Sequence, residues 1–438
     1  MGRKEAEDHP YRRGKNERED RDRRVKDEWN AKQTRQPVGC GLMAREMITI
    51  CRNRIGRRCF LLLAGACPAF SNPFAAAVIP PPSGKAWEKI SRFFETPAEF
   101  KDDLGNFRPV LQFEDGRRVR NAEDWQERRH ELLQKWHGLL GPWPPLLEKP
   151  YAQEQFAERI GFVRRRIELE IAPGRKTAVY LVTPEGPGPF PAVIDVFYYP
   201  EDGAGIKSDR RRQNDFGYQL VQRGFAALCL GQNPTAPRPQ ADLYYPVWDK
   251  AELQPLSYLA YLAANCHTFL AQRQEIDPNR IGVVGHSYGG KWALFAGALY
   301  EKFAAVCVSD PGIVFDETRP NVNYWEPWYL GYVPGSEFRP RGVLTDTHPR
   351  VGPYKTMRER GDDLNELHAL IAPRPFFVAG GSEDPPERWR ALNHTVAVNR
   401  LLGHSNRVGM SNRAEHKISP EANEQICLFF EHFLKEEP

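Results

Sequence analysis

The sequence predicts an α/β protein built on a doubly wound, mainly parallel sheet, with a helical N-terminal extension. From about residue 190 onward, short apolar runs alternate with helical segments, which is typical of such a sheet. These runs are largely apolar, as strands buried on both faces require. One predicted strand, at residues 281–285, leads through a sharp turn directly into a helix. With 438 residues, 41% of them hydrophobic, the chain is long enough for one large domain with appendages.

The first 79 residues predict two segments outside that domain. Residues 1–42 are dense in charged side chains and lack apolar periodicity, so we expect a disordered segment that need not belong to the mature protein. Residues 43–79 resemble a twin-arginine export signal, because Arg57-Arg58-Cys59-Phe60-Leu61 fits that pattern and Ala75-Ala76-Ala77 offers a cleavage site. The apolar part is too short to cross a bilayer, so no stable membrane span is expected.

The position of this signal has consequences for the start and the location of the protein. Export signals begin near an N-terminus, so the expected start is Met43 or Met47, and the expected location is periplasmic or extracellular. Two alternatives stay open: lipidation at Cys67, although Ala64 stands where such signals usually have leucine, and a fortuitous basic-apolar stretch in a cytoplasmic protein.

Charge and cysteine content narrow the class of protein. Much of the formal net charge of +4 comes from the first sixty or so residues, so the rest has no basic surface and nucleic acid is not an expected partner. Cys229, Cys266, Cys307 and Cys427 lie in apolar settings and are predicted to be buried free thiols. The sequence has no CxxC pair or Cys/His ligand spacing, so neither a metal nor another cofactor is expected.

Two parts follow the export signal. Residues 80–154 are predicted to form a helical extension packed on the main domain, with a helix over Asn121–Leu140 whose Trp125 and Trp136 lie on one buried stripe. Residues 155–438 are predicted to form the main domain. Its expected strands are 162–171, 177–183, 192–198, 225–230, 281–285, 303–309 and 375–379, and its expected helices include 216–222, 256–272, 291–299 and 423–434. The first two strands alternate polar and apolar residues and are therefore expected to be antiparallel and half exposed.

The turn at residues 285–289, Gly-His-Ser-Tyr-Gly, has the features of a nucleophile elbow. The glycines are needed because the backbone is strained and crowded there, and the turn holds the hydroxyl of Ser287 over the edge of the sheet. With this elbow in place, residues 155–438 resemble the α/β-hydrolase fold.

A serine hydroxyl needs a base, and the base needs an orienting acid. The α/β-hydrolase resemblance implies a late histidine on a loop before the last helix, which is His416; His404 is the alternative. Two carboxylates follow predicted parallel strands and could supply the acid, Asp310 and Asp384. The one that does not orient the histidine is expected to be a structural carboxylate.

A closer resemblance follows from Gly285 to Ala298, where Gly-x-Ser-x-x-Gly-Lys-x-Ala-Leu-x-Ala-Gly-Ala is similar to the elbow of the glucuronoyl esterases. Those enzymes cleave esters between lignin alcohols and glucuronoyl groups on xylan. The resemblance implies that Lys291 contacts the sugar acid and that Asp310, where the family has glutamate, is the triad acid. Tyr288 stands where the family usually has arginine. The chain also resembles the acetyl xylan esterase and dienelactone hydrolase branch, for which Asp384 would be the acid.

Substrate contacts are expected from three places. The backbone amides of Tyr288 and Tyr198 are the expected oxyanion donors. Lys291, one helical turn beyond Ser287, is expected to present its ammonium to a carboxylate on the substrate; the alternative is a solvated helix lysine. Trp325, Glu326 and Trp328 form either a wall that binds sugar or a packed lid.

The sequence therefore predicts an exported serine esterase acting on polysaccharide-linked esters of the glucuronoyl type, with a carbohydrate ester or other small ester as its partner. Within enzymes, the alternatives are a deacetylase of acetylated xylan or other carbohydrate and a peptidase of the same fold. In another class, the alternative is an inactive hydrolase scaffold that binds carbohydrate.

Overall fold

The computed structural model describes residues 84–206, 212–232 and 240–436. The chain divides into two compact units, Met1–Asn72 and Pro73–Pro438, and all the described residues belong to the second. The predicted charged segment at 1–42 and the predicted export signal at 43–79 lie outside the described residues.

Within the described residues, nine strands form one sheet in the order β1-β2-β3-β5-β4-β6-β7-β8-β9. The strands are β1 (Ala152–Arg159), β2 (Val163–Ala172), β3 (Arg175–Thr183), β4 (Phe190–Phe197), β5 (Ala226–Gly231), β6 (Ile276–His286), β7 (Ala305–Ser309), β8 (Phe376–Gly380) and β9 (Val408–Asn412). Strands β4 to β9 are parallel to one another, whereas β1, β2 and β3 join by antiparallel pairing. The predicted fold class, a mainly parallel sheet of the α/β-hydrolase type, is confirmed.

Helices cover both faces of this sheet. They are α1 (Lys85–Ile90), α2 (Ala122–Leu140), α3 (Pro200–Gly203), α4 (Phe216–Val221), α5 (Gln240–Leu243), α6 (Pro255–Ala271), α7 (Tyr288–Leu299), α8 (Gly352–Arg360), α9 (Asn365–Ile371), α10 (Trp389–Leu401) and α11 (Pro420–Leu434). Alternate strand residues enter opposite cores: Val283 packs with α6 and α7, and its neighbour Val284 packs with α1, α4 and α11. A strand with buried residues on both faces reads as a continuous apolar run, which is how β6 was predicted.

The helix α2 attaches the region before β1 to the rest of the unit. Its N-cap residue is Asn121, whose side chain accepts a hydrogen bond from the amide of Asp124 at 2.8 Å. Trp125 and Trp136 are fully buried on one stripe. The indole of Trp136 donates to the carboxylate of Glu366 in α9 at 3.0 Å, so the stripe is anchored to the domain by a polar contact as well as by apolar packing. The predicted boundary at residue 155 falls inside β1.

The four cysteines of the described region, Cys229, Cys266, Cys307 and Cys427, are buried and free, which confirms their prediction as core thiols. Across the same region no helix combines the length and apolar character needed to cross a bilayer.

Candidate active site

The turn between β6 and α7 holds Ser287 in a strained conformation. Its φ of 54° lies in the left-handed region, where a residue other than glycine is disfavoured. The backbone is crowded as well, because a Cβ added at Gly289 would collide with the carbonyl oxygen of Val196 in β4. The amide of Ser287 donates to the carbonyl of Ser309, the last residue of β7, at 2.8 Å. These contacts hold the serine side chain at the carboxyl edge of the sheet.

Three predicted site residues come together at this edge. The Nε2 of His416 lies 2.8 Å from the Oγ of Ser287, and its Nδ1 lies 2.8 Å from the Oδ2 of Asp310. Asp310 is fully buried, whereas the His416 side chain is 30% exposed. The alternative histidine, His404, follows α10, where its amide bonds to Asn399. The geometry is that of a nucleophile, a base and an orienting acid in a row.

The carboxylate of Asp310 is held on its other side by backbone amides. Its Oδ1 accepts three hydrogen bonds from the loop after β8, while Oδ2 faces His416. The donors are the amides of Gly381 at 2.7 Å, Asp384 at 2.8 Å and Glu383 at 3.1 Å. Donors of this kind stabilise the ionised carboxylate and fix its orientation.

Asp384 in turn binds the backbone of the loop that follows Asp310. Its two carboxylate oxygens accept from the amides of Gly312 at 2.8 Å and Ile313 at 2.6 Å, in the loop that follows Asp310. Burial, with the nearby Asp310 charge, raises the pKa of Asp384 to about 6. Each of the two aspartates therefore binds the backbone of the other's loop. We call this pair of interactions the aspartate clasp. In it, Asp384 bonds to backbone amides, whereas Asp310 also bonds to the histidine.

Tyr198 and Tyr288, whose amides are the expected oxyanion donors, flank the serine. Tyr198 follows β4 and Tyr288 is the first residue of α7. Their rings stack with centroids 4.8 Å apart and planes inclined by 17°. This ring pair packs the residue after β4 against the first residue of α7.

The lysine predicted to contact substrate, Lys291, is buried. Its Nζ donates to the carbonyls of Pro311 at 2.6 Å and Asn321 at 2.9 Å, and it lies 4.9 Å from the centroid of the Tyr324 ring. Burial lowers the pKa of Lys291 to about 8, against the opposing effect of nearby carboxylates. The alternative of a solvated lysine is wrong. Among the described residues the two carbonyls are its hydrogen-bond acceptors, which leaves one ammonium hydrogen for a further acceptor.

The aromatic segment around residue 326 is packed inward. Trp325, Glu326 and Trp328 are 1%, 0% and 7% exposed. The indole of Trp325 donates to the carbonyl of Gly342 at 2.9 Å, and the amide of Gly342 donates to Glu326 at 3.0 Å. Of the two interpretations, this packing favours a lid over an open wall that binds sugar.

The buried carboxyl of Glu326 is expected to make the unfolding free energy of the protein depend on pH. Burial raises the pKa of its carboxyl to about 7 from 4.5, so between these values the folded protein binds more protons than the unfolded chain and stability falls as pH rises. Glu326→Gln removes the titration. We expect the free energy of unfolding of the wild type, relative to this variant, to fall by roughly 1–3 kcal/mol between pH 4.5 and 8. Urea unfolding of both proteins across that range measures it, and a constant difference would contradict the prediction.

One residue at the site, His286, was not singled out from the sequence. The Nδ1 of His286 lies 3.1 Å from both the carbonyl and the hydroxyl oxygen of Ser309, and its ring centroid is 4.8 Å from that of His416. Burial holds the pKa of His286 well below its usual value, with the neighbouring His416 and Arg413 acting in the same direction. His286 is therefore a neutral ring that packs beside the ring of His416. Nothing in a single sequence distinguishes it from any residue that fills the variable position before the serine.

In the described ranges, no group of three or more histidine, cysteine or acidic side chains is arranged to hold a metal ion.

The sheet order and the elbow define the class: the chain has the α/β-hydrolase fold. No family model matches the sequence. A 210-residue segment is 26% identical to a 4-O-methyl-glucuronoyl methylesterase of Podospora anserina, and the match covers 46% of this chain and 40% of that protein. The chain therefore matches less than half the length of this curated relative.

Solved structures extend the similarity in fold. A glucuronoyl esterase from Solibacter usitatus aligns with a TM-score of 0.59 at 18% identity, over 75% of this chain and 97% of the other. A carbohydrate esterase family 15 glucuronoyl esterase from Caldicellulosiruptor kristjansonii aligns with a TM-score of 0.54 at 20% identity, over 78% and 94%. The resemblance to glucuronoyl esterases predicted from the elbow is confirmed by these similarities.

Proposed function

We propose that the protein is a serine carboxylic-ester hydrolase that acts on polysaccharide-linked esters of the glucuronoyl type. The observation that carries the proposal is the row of hydrogen bonds from Ser287 through His416 to Asp310, with 2.8 Å at each step. The similarity to enzymes named as glucuronoyl esterases, in fold and over 210 residues of sequence, supports the choice of substrate.

In the proposed mechanism, the Nε2 of His416 takes the hydroxyl proton as the Oγ of Ser287 attacks the ester carbonyl. The tetrahedral intermediate collapses when the imidazolium gives that proton to the leaving alcohol, and an acyl-serine remains. Water then attacks the acyl group with the same base, which releases the acid and restores the serine. Asp310, buried and bonded to Nδ1, stabilises the imidazolium in both steps and keeps the ring in the tautomer with Nδ1 protonated.

The negative charge on the carbonyl oxygen needs donors in place before the reaction. The backbone amides of Tyr288, at the N-terminus of α7, and Tyr198, after β4, are proposed for this role. Their support is positional: Tyr288 directly follows Ser287, and its ring stacks on that of Tyr198, which restricts movement of either segment. The glucuronoyl esterases usually have an arginine at the position of Tyr288. In this chain, the proposed stabilisation of the oxyanion therefore comes from backbone amides and not from the side chain of residue 288.

A comparison of substrates tests the proposal. Purified protein is assayed side by side with an alkyl ester of glucuronic acid, with acetylated xylan and with a peptide library, and acid release is followed by titration. We expect kcat/KM for the glucuronoyl ester to exceed that for the acetyl ester by roughly tenfold or more. Preference for acetylated xylan would favour the deacetylase alternative, and turnover of peptides alone would favour the peptidase.

A fluorophosphonate probe separates an enzyme from an inactive scaffold. Such a probe reacts with a serine hydroxyl only where a base activates it. We expect covalent labelling at Ser287, located by mass spectrometry of the tryptic peptides. A protein that binds xylan fragments and is not labelled would be the carbohydrate-binding scaffold.

The third ammonium hydrogen of Lys291 is proposed to bind the sugar-acid part of the substrate. Lys291→Met keeps most of the buried volume and removes the charge. We expect kcat/KM for the glucuronoyl ester to fall by about 10- to 100-fold, the cost of one charged hydrogen bond, and that for 4-nitrophenyl acetate to fall far less. An equal loss on both esters would mean that Lys291 acts only through the loop carbonyls of Pro311 and Asn321.

Export is proposed as well, on the support of Arg57-Arg58 in its basic-apolar setting. Expression in a bacterium with and without a working twin-arginine pathway tests it, with esterase activity measured in periplasmic and cytoplasmic fractions.

A further inference from the structure

We propose that Arg413 is a positioning residue for the base, because it fixes the loop that carries His416 against the ends of the neighbouring strands. The inference rests on the proposed function, since it assigns a task only if His416 acts as that base. Arg413 follows directly after β9 and precedes His416 by three residues. It does not contact the reacting atoms.

The guanidinium of Arg413 joins two parts of the site. On one side, Nη1 donates to the carbonyls of Ala379 at 2.7 Å and Gly380 at 3.1 Å, where β8 ends. On the other side, Nη2 donates to the carbonyl of His416 at 2.8 Å and Nε donates to that of Lys417 at 2.9 Å. The backbone around the base is thus tied to the sheet edge through one planar group.

A further contact connects this group to the acid. Nη2 also lies 3.3 Å from the hydroxyl of Ser309, the residue before Asp310. Burial lowers the pKa of Arg413, and the nearby charges of Asp310 and Asp384 act in the opposite direction. The ends of β7, β8 and β9 and the histidine loop therefore meet at one side chain.

Apart from the guanidinium, the loop around His416 is joined to the end of β8 by the amide of Arg413, which donates to the carbonyl of Gly380 at 3.1 Å. Ala414, Glu415 and Lys417 are exposed, so apolar packing does not fix the backbone between Arg413 and Ile418. The His416 ring itself makes one bond to Asp310 and one to the nucleophile. A base that must lie within hydrogen-bond reach of a serine loses rate steeply when it moves by about 1 Å. We infer that the Arg413 bonds supply this precision.

Arg374 provides a matched control at the opposite edge of the sheet. It precedes β8, is half-buried like Arg413, and its guanidinium donates to five backbone carbonyls between 2.8 and 3.3 Å. These carbonyls belong to Gly297, Tyr300, Phe303, Leu370 and Ile371. Losing Arg374 removes five side-chain hydrogen bonds from the fold, and losing Arg413 also removes five, four to carbonyls and one to the hydroxyl of Ser309. The Arg374 change leaves the contacts of the histidine loop in place.

The test uses the full chain and four variants: Arg413→Met, Arg413→Lys, Arg374→Met and Arg374→Lys. For each, the second-order rate of Ser287 labelling by the fluorophosphonate, kcat and KM for the best ester, and the urea midpoint are measured. We expect Arg413→Met to lower the labelling rate and kcat by about 100-fold while KM changes about twofold or less. Arg413→Lys is expected to recover part of that loss, because an ammonium reaches some of the same carbonyls.

The Arg374 variants are expected to lower the urea midpoint as much as the Arg413 variants do, and to label Ser287 at about the wild-type rate while folded. If Arg413→Met or Arg374→Met does not fold, the comparison between the two lysine variants decides in the same way. Arg413 variants that label and turn over at the wild-type rate would overturn the inference, and so would an equal loss of rate in both pairs. A wild-type protein that is never labelled would overturn the proposed function first, and the positioning role with it.

Discussion

Replacing Ser287 with alanine is expected to lower kcat by roughly 10⁶-fold on the best ester, because the acyl-enzyme route closes and the remaining groups act only on water. Labelling by the fluorophosphonate should disappear as well. The unfolding free energy should change little, since alanine differs by one hydroxyl on a half-buried side chain. Ser336→Ala is the control: this serine is exposed and its hydroxyl bonds to the carbonyl of Val333.

Two results would contradict this expectation in different ways. A Ser287→Ala protein that keeps more than about a thousandth of the wild-type kcat would mean that another nucleophile acts, since the oxyanion donors and binding alone supply less than that. Loss of activity together with loss of cooperative unfolding would mean that the strained turn fails without its side chain, and the catalytic role would then be read from the labelling of the wild type.

The second large effect concerns the two aspartates. Asp310→Asn is expected to lower kcat by about 10⁴-fold with little change in KM, because an amide beside Nδ1 favours the wrong histidine tautomer and does not stabilise the imidazolium. Asp384→Asn should lower kcat far less. Its main effect should be a loss of about 1–3 kcal/mol of unfolding free energy at pH 8, where the ionised carboxylate accepts the amides of Gly312 and Ile313.

Kinetics and urea unfolding of the two variants under the same conditions separate the roles. Each is the control of the other, because both remove one charge from the same buried pair. If Asp384→Asn gives the larger loss of kcat at equal folded fraction, then Asp384 orients the base in solution and the clasp rearranges on substrate binding.

Much of the fold could be predicted because the central strands have only one way to be buried. The runs at 192–198, 225–230 and 375–379 lie within a residue or two of β4, β5 and β8. Apart from Asp195 in the first run, their residues are apolar on both faces, and this pattern leaves little room for another structure. The elbow was predictable for a related reason, since glycines at 285 and 289 are needed where a neighbouring carbonyl approaches too closely for a Cβ.

The two edges of the sheet could not be predicted in the same way. The strand β1 is exposed along most of its length and reads as a polar segment, Ala-Gln-Glu-Gln-Phe-Ala-Glu-Arg. The strand β9 has only five residues, Val-Gly-Met-Ser-Asn, with two polar members. Both are strands because a partner strand offers hydrogen bonds, which composition does not record.

At the site, residue type and chain order predicted the serine and the histidine, but they did not decide which aspartate is the acid. Asp310 and Asp384 both follow parallel strands, and only their amide partners and the direction of each carboxylate separate them. Arg413 was missed because a single arginine in a polar loop has the composition of an ordinary surface residue. Its role depends on carbonyls from residues 379, 380, 416 and 417, which meet only in three dimensions.

The order of these groups along the chain affects when the protein can first act during its synthesis. The base lies 129 residues after the nucleophile, and β7, β8 and β9 are made between the two. A nascent polypeptide that has left the ribosome only as far as α10 can carry a formed elbow, but its serine has no proton acceptor. If Ser287 and His416 act as proposed, the nascent chain is therefore expected to stay unreactive until the last strand and the histidine after it have emerged.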